Sequence, residues 1–169
     1  MTVGLQKHLP EPALLRQTFS LFPSGVACIG AVVDGSREAI VASSFTVGVS
    51  LDPPLVSFAV QNSSTTWPVI RQAPFVGVSV MGSGHSEVCR QIASKDKSRR
   101  FEGMDIELSS TGALFVPDSP VWLECSVYSE VPAGDHHVVL LEVTALGFNP
   151  DLNPLVFHRS AFSRVHSDA

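Results

Sequence analysis

Cysteine is scarce in this sequence, and the few cysteines present form no motif. The 169 residues contain only Cys28, Cys89 and Cys125, which are widely spaced and include no CxxC pair. An odd number of isolated cysteines supports neither a disulfide framework nor a cysteine-based metal or redox site. We therefore expect a protein of a reducing compartment, the cytoplasm.

Long apolar runs are missing as well. No stretch approaches the roughly 20 consecutive apolar residues that a membrane helix needs. The N-terminus has no basic segment followed by an apolar run and a small-residue cleavage site, which is the pattern of a signal peptide. The sequence thus predicts a soluble protein without a membrane partner.

The sequence also has few basic residues and lacks two common nucleotide-binding motifs. Lys and Arg number 11 against 16 Asp and Glu, so the formal net charge is −5. Proteins that bind nucleic acid usually have a basic balance and a basic face, so no nucleic-acid partner is expected. Neither GxGxxG nor GxxxxGK[ST] occurs, and strands and helices do not alternate, which excludes a Rossmann or P-loop site.

Apolar β-like runs dominate what is present. Hydrophobic residues make up 44% of the chain and charged residues 16%, which fits one domain over residues 1–169 with a flexible tail at 1–10. Short helices are predicted from Glu11, around Trp67 and from about Ser86. The economical fold is mainly β, an antiparallel barrel with a few short peripheral helices. The β-like runs are Gly25–Val33, Ala39–Phe45, Leu55–Val60, Phe75–Met81, Val121–Val131, His137–Phe148 and Leu155–Val165.

The segment from Ala39 to Ser64 is the richest in short hydrogen-bonding side chains. Two β-like runs flank a predicted turn that carries Ser50, Asp52, Pro53 and Pro54, and both runs end in hydroxyl or amide residues. Such donors suit a planar heterocycle with a phosphate tail. They are equally typical of ordinary strand ends and turns, so both interpretations stay open here.

A second segment concentrates positive charge in an otherwise acidic chain. Lys95, Lys97, Arg99 and Arg100 fall within six positions after a predicted helix. The cluster could meet a cofactor phosphate. It could also be a solvated helix end, where cations are favoured by the helix dipole.

Several motifs, taken in order, resemble the short-chain flavin reductases, the reductase components of two-component flavin monooxygenases. The resemblance covers about residues 19–165, and its motifs occur in the family's order at plausible spacing. They are Phe22-Pro23-Ser24-Gly25-Val26, Val41-Ala42-Ser43-Ser44-Phe45-Thr46, Ser50-Leu51-Asp52-Pro53-Pro54-Leu55-Val56, Gly134-Asp135-His136 and Phe157-His158-Arg159.

This resemblance implies a Greek-key split β-barrel that binds flavin at a dimer interface without a Rossmann domain. The implied reaction is hydride transfer from NADH or NADPH to FMN or FAD. Reduced flavin would then pass to a separate flavin-dependent monooxygenase. The implied assembly is a homodimer whose interface completes the flavin sites.

The resemblance also implies site residues. Relatives often carry Asn at the position of Ser43 and Tyr at that of Phe157, so this chain departs from the pattern there. On the nicotinamide side we expect Gly134, Asp135, His136, Phe157, His158 and Arg159. On the flavin side we expect Val41, Ala42, Ser43, Ser44, Phe45, Thr46, Ser50, Gln61, Asn62, Ser63, Ser64, Lys95, Arg100 and Phe101.

No side-chain acid or base is required, because the cofactors supply the chemistry and the protein positions them. His136 is expected to orient the nicotinamide carboxamide. A metal is not expected, since neighbouring His136 and His137 would point to opposite faces of a strand. Two alternatives remain: a flavin carrier without reductase activity on the same barrel, and an oxidase or haem-handling protein on a related barrel.

Overall fold

Strands of very different length and a few short helices build the described part of the chain. The computed structural model describes residues 3–5, 7–8 and 10–165. The helices are α1 (Pro12–Phe19), α2 (Trp67–Ile70) and α3 (Ser86–Ile92), with a 3₁₀ turn at Lys97–Arg99. The strands are β1 (Ser24–Gly25), β2 (Ala27–Val33), β3 (Ser36–Ala42), β4 (Thr46–Leu51), β5 (Pro54–Gln61), β6 (Val76–Val80), β7 (Glu107–Leu108), β8 (Leu114–Phe115), β9 (Val121–Ala133), β10 (His136–Phe148), β11 (Leu155–His158) and β12 (Ala161–Arg164).

The main sheet has seven antiparallel strands in the order β3, β2, β6, β9, β10, β5, β4. Its inner face encloses one apolar core, in which Ile29, Phe58, Val78 and Val139 are fully buried. Trp67 of α2 closes this core and meets the Phe58 ring edge-on at 5.1 Å. A sheet curled around a single core is the predicted antiparallel barrel.

A second apolar core lies between the barrel and its outer elements. The three-stranded sheet β1, β11, β12 and helix α3 pack there through Leu155, Cys89 and Ile92, against Cys28 of β2. Burial raises the pKa of Cys28 to about 12 and that of Cys89 to about 11. Both thiols are therefore protonated at neutral pH and serve as packing groups.

A tight turn at Asp34-Gly35 connects the first two long strands. Asp34 and Gly35 both adopt positive φ, 49° and 77°, and join β2 to β3. These are the backbone angles of the tight turn that follows the right-handed twist of paired strands. The turn fixes the register that carries β3 to its end at Ala42.

Two predictions about strand limits are wrong. The stretch between the two central runs is not only a turn, because Thr46–Leu51 forms β4 and pairs with β5. Strand β4 escaped detection because Gly48, at φ 69°, interrupts it and because its apolar side chains face outward. The last run, Leu155–Val165, divides into β11 and β12 at Arg159 and Ser160, both at positive φ.

The N-terminal segment is largely exposed. Helix α1 begins one residue after the expected start and contains no buried residue. Phe19 and Phe22 are 67% and 77% exposed, so the apolar face of this segment covers no core. The predicted tail at residues 1–10 lies partly outside the described residues, and its described part belongs to no helix or strand.

Candidate functional site

A cavity of about 620 Å³ opens where β3 and β5 end. We call it the central cavity. Strand β3 and the residues after it form one wall, the end of β5 and the loop before α2 form another, and the segment after α3 closes it. Its lining residues are Ala39, Ile40, Val41, Ala42, Ser43, Ser44, Ala59, Val60, Gln61, Ser63, Ser64, Thr65, Thr66, Ile92, Ala93, Lys95, Arg100 and His136.

The two serines after β3 differ in what their hydroxyls do. The Ser44 hydroxyl accepts a hydrogen bond from the Ala59 N–H at 2.9 Å and donates to the Ala59 carbonyl at 3.1 Å. It thereby ties the end of β3 to β5. Neither the Ser43 hydroxyl nor the backbone N–H groups of Ser43 and Ser44 bond to any described residue. These donors remain available to a ligand in the cavity.

Arg100 lies half-buried in the wall of the central cavity. Its Nε donates to the Ser94 carbonyl at 2.8 Å, and its Nη1 donates to the Thr66 hydroxyl at 3.0 Å and the Ala39 carbonyl at 3.4 Å. These bonds hold the guanidinium in place, while Nη2 makes no hydrogen bond to the described part of the chain. An oriented guanidinium with a free nitrogen is suited to an anionic oxygen.

The predicted basic cluster is divided by the fold. Lys95 lines the central cavity with Arg100. Lys97 instead donates to the Thr65 carbonyl at 3.3 Å, and Arg99 pairs with Glu102 at 3.3 Å. The cavity therefore receives two of the four clustered cations.

His136 stands at the start of β10, opposite Gln61 of β5, and lines the same cavity. Its Nδ1 lies 2.6 Å from the Asp135 carboxylate. The hydrogen bond from His136 and its charge hold the pKa of Asp135 below the usual value. An ionised carboxylate only accepts a hydrogen bond, so Nδ1 of His136 carries the proton in this contact, and Nε2 has no hydrogen-bond partner among the described residues.

Asn62 fixes the turn that presents His136. Its Nδ2 donates to the Gly134 carbonyl at 3.2 Å, and its backbone N–H donates to the Asp135 carbonyl at 2.9 Å. Gly134 adopts φ 65°, a conformation that glycine tolerates best. Asn62, Gly134 and Asp135 are thus placed around the cavity without lining it.

A second space, which we call the α1 groove, lies on the other side of Ser43 and Ser44. It measures about 550 Å³ and lies between α1, the residues after β3 and the β11–β12 turn. Phe157 lines the groove and packs on Phe162 with ring centroids 5.4 Å apart. The full lining is Arg16, Phe19, Ser20, Phe22, Ser24, Ser43, Ser44, Phe45, Thr46, Phe157 and Ser160.

The expected site residues divide into three sets. The central cavity contains Val41, Ala42, Ser43, Ser44, Gln61, Ser63, Ser64, Lys95, Arg100 and His136. The α1 groove contains Ser43, Ser44, Phe45, Thr46 and Phe157. Lining neither space are Ser50, Asn62, Phe101, Gly134, Asp135, His158 and Arg159.

Three members of the last set have evident structural surroundings. Ser50 pairs with Leu55 within the β4–β5 hairpin. Phe101 packs against the second apolar core. Arg159 forms the tip of the β11–β12 turn, and its backbone N–H donates to the Ser20 carbonyl at 2.7 Å, which anchors the end of the α1 segment.

Sequence reasoning missed Thr65, Thr66, Ile92 and Ala93 in the cavity wall. The first two directly follow the predicted Gln61–Ser64 segment. The buried Thr66 hydroxyl accepts a hydrogen bond from Arg100.

Within the described ranges, no three His, Cys, Asp or Glu side chains come together as metal ligands. None of the described helices is long and apolar enough to cross a membrane.

A family model, the flavin reductase like domain, matches residues 19–166. The chain belongs to the flavin reductase family. A flavin reductase of Pseudomonas putida is 34% identical over 153 residues, which cover 90% of this chain and 89% of that protein. The reductase subunit HsaB of a flavin-dependent monooxygenase from Rhodococcus jostii is 28% identical over 158 residues, covering 94% of this chain and 80% of that protein.

Solved structures of flavin reductases have the same fold. An NADH:FAD oxidoreductase of Streptomyces globisporus, solved with NAD and FAD fragments, superposes with a TM-score of 0.87 at 29% identity, covering 96% of this chain and 99% of that chain. The predicted family, split-barrel fold and enzyme class, an NAD(P)H:flavin oxidoreductase, are confirmed for this flavin reductase.

Proposed function

We propose that this flavin reductase holds FMN or FAD in the central cavity and reduces it with NADH or NADPH. The observation that carries this proposal is the distribution of groups around the cavity. Arg100 and Lys95 supply cations, Ser43 and Ser44 supply free N–H donors, and His136 supplies a free ring nitrogen. A flavin needs the cations for its phosphate and the N–H donors for the electron-rich edge of its ring. The ring nitrogen would serve the coenzyme beside it.

The residues present fit a flavin. The backbone donors of Ser43 and Ser44 follow directly on β3, so they are held by the barrel without reorganisation when a ligand binds. Such preorganised donors stabilise negative charge that develops on a ring. Arg100 is fixed by its own hydrogen bonds to Ser94, Thr66 and Ala39, which lowers the entropic cost of binding a phosphate. When bound, the flavin supplies the electron acceptor for hydride transfer.

Relatives support one coenzyme pair for the first test. An NADH-dependent FAD reductase of Streptomyces globisporus is 32% identical to this chain over 162 residues. NADH with FAD is therefore the pair we expect to work best among the four combinations. His136 would orient the nicotinamide carboxamide through Nε2, and the contact of Nδ1 with the Asp135 carboxylate would hold the ring in place.

We also propose a homodimer of the cytoplasm that supplies reduced flavin to a separate monooxygenase. Support for the partner comes from relatives named as reductase subunits of flavin-dependent monooxygenases. Support for the dimer comes from β4, where Val47, Val49 and Leu51 are all exposed. Three apolar side chains at alternate positions of one strand form a surface suited to burial against a second copy.

The test is anaerobic spectroscopy of the purified full-length protein. FMN or FAD is added first, then NADH or NADPH, and the absorbance bands of oxidised flavin and of reduced nicotinamide are followed together. Joint loss of both bands is expected. Flavin binding without loss of either band would mean a carrier, and absence of flavin binding would overturn the proposal.

A His136→Ala variant separates the reductase from a carrier. A reductase should show a raised nicotinamide KM or a lowered kcat, since the coenzyme loses its orienting partner. The matched variant is His137→Ala, because His137 is the neighbouring residue on β10 and does not line the central cavity. Equal kinetics for the two variants would contradict the assigned role of His136.

A further inference from the structure

The α1 groove has a chemistry of its own beside the central cavity. The two spaces share Ser43 and Ser44. Four phenylalanines line the groove, namely Phe19, Phe22, Phe45 and Phe157. A ligand that spans both spaces would therefore pass directly over the free N–H donors at the end of β3. The groove offers aromatic faces to any planar ring that enters it.

Arg16 is the single formal charge among the groove's lining residues. Its guanidinium forms no ion pair or hydrogen bond with any other side chain or backbone group in the described part of the chain. The chain as a whole carries a net charge of −5, but no Asp or Glu lines the groove to neutralise Arg16. Such a cation attracts an anion, and a phosphate is the anion that accompanies planar rings in coenzymes.

We infer that the α1 groove receives the nucleotide part of the nicotinamide coenzyme and that Arg16 binds its phosphate. The inference rests on the proposed function and adds a coenzyme-binding residue from α1, a helix that carries no expected site residue. It also explains why Phe157 lies in the groove while His136 lies in the central cavity. His136 is then near the ring that donates hydride, and Phe157 is near the remainder of the coenzyme.

The backbone supports a fixed position for Arg16. The Arg159 N–H donates to the Ser20 carbonyl at 2.7 Å, and the Ser20 N–H donates to the Arg16 carbonyl at 2.9 Å. This chain of hydrogen bonds joins the last turn of α1 to the turn after Phe157. Arg16 and Phe157 therefore face one groove from two elements that are held together.

The competing occupant of the groove is a second copy of this chain. Phe19 and Phe22 are exposed and would be buried in an interface. The groove's lining offers a second copy no carboxylate to pair with Arg16, whereas a dinucleotide supplies both planar rings and an anionic phosphate. Charge complementarity therefore favours the coenzyme.

The experiment compares Arg16→Ala and Arg16→Lys with wild type, using the full chain at saturating flavin. The matched control is Arg37→Ala, since Arg37 is an exposed arginine on β3 that lines neither space. Loss of a charged hydrogen-bond partner should raise the KM for NADH by roughly tenfold or more, with kcat little changed. Lysine should restore part of the affinity, and Arg37→Ala should match wild type.

A second hydride donor makes the test specific for the phosphate. A reduced N-benzyl nicotinamide carries the reacting ring without any phosphate, so Arg16→Ala should oxidise it as well as wild type does. An equal rise in KM for both hydride donors, or an unchanged KM for NADH, would overturn the inference. An unchanged KM with an altered sedimentation coefficient would assign the groove to a second copy.

The failure of the proposed function is seen separately. If wild type oxidises neither donor, the reductase proposal fails whatever Arg16 does. Calorimetric titration of oxidised NAD into the flavin-loaded protein then decides the inference. Weaker binding to Arg16→Ala than to Arg37→Ala supports the assigned contact, and equal binding overturns it.

Discussion

Replacing Ser44 with alanine tests whether one hydroxyl joins the end of β3 to β5. The substitution removes two hydrogen bonds, at 2.9 and 3.1 Å, to the N–H and carbonyl of Ala59. A typical intramolecular hydrogen bond contributes about 0.5–1.5 kcal/mol net. Because Ser44 is exposed, water replaces part of the lost bonding, and we expect a total loss of about 1 kcal/mol. For a protein of this length that corresponds to a Tm lower by roughly 2–4 °C.

Ser43→Ala is the matched control, since Ser43 lines the same cavity and its hydroxyl bonds to no described residue. Urea unfolding of the flavin-free protein should place Ser43→Ala within about 0.5 kcal/mol of wild type. Ser44→Thr keeps the hydroxyl and should recover most of the stability. Hydrogen exchange at the Ala59 amide gives a local readout and should accelerate only in Ser44→Ala. Equal stability and equal Ala59 exchange in the two alanine variants would refute the reasoning.

Three further predictions concern packing, the phosphate and pH. Gly77→Ala should destabilise the protein by about 3 kcal/mol or more, because its Cβ would clash with the backbone carbonyl oxygen of Leu114. Gly84→Ala, whose Cβ would meet nothing within 4 Å, should have a mild effect when both variants are unfolded in urea. Arg100→Gln should weaken FMN binding roughly tenfold in fluorescence titrations and leave riboflavin, which lacks the phosphate, nearly unaffected; equal weakening would argue against a phosphate contact. Burial lowers the pKa of His85, with Asp118 and the Pro117 carbonyl opposing the shift. The unfolded chain therefore takes up the proton first, so stability should fall as pH drops below about 6.5. His85→Asn should flatten that dependence in pH-resolved thermal melts.

The strands of the barrel could be predicted because their side chains carry the pattern. Strand β2 is apolar on both faces, since one face meets the barrel core and the other meets α3 and the outer sheet. Strand β4 gives no such signal. It is a sheet edge whose Val47 and Val49 are exposed, so no alternation of buried and exposed side chains marks it in the sequence.

The site could be predicted only in part, because hydrogen bonds between distant residues decide which side chains reach the cavity. Arg100 and Arg99 are adjacent and chemically identical, yet one is held by Thr66 and Ala39 and the other pairs with Glu102. The spacing of the basic residues in the sequence does not show which partner each arginine will have. Asn62 illustrates the same limit, since its amide holds the Gly134 turn, 72 positions along the chain, and does not line the cavity.

The resemblance identified the motif around Ser43 and Ser44, and the structure gives a physical reason why such a motif can serve a nucleotide cofactor. Glycine-rich nucleotide loops work by exposing backbone N–H groups at the start of a helix. Here β3 stops pairing at Ala42, and the next two N–H groups are left without partners among the described residues. The Ser44 hydroxyl satisfies Ala59 of the neighbouring strand, so the chain can leave the sheet without leaving that amide unpaired. Arg100 adds the positive charge that a helix terminus would otherwise provide. An antiparallel barrel can therefore present oriented donors and a cation to a phosphorylated heterocycle by ending one strand early.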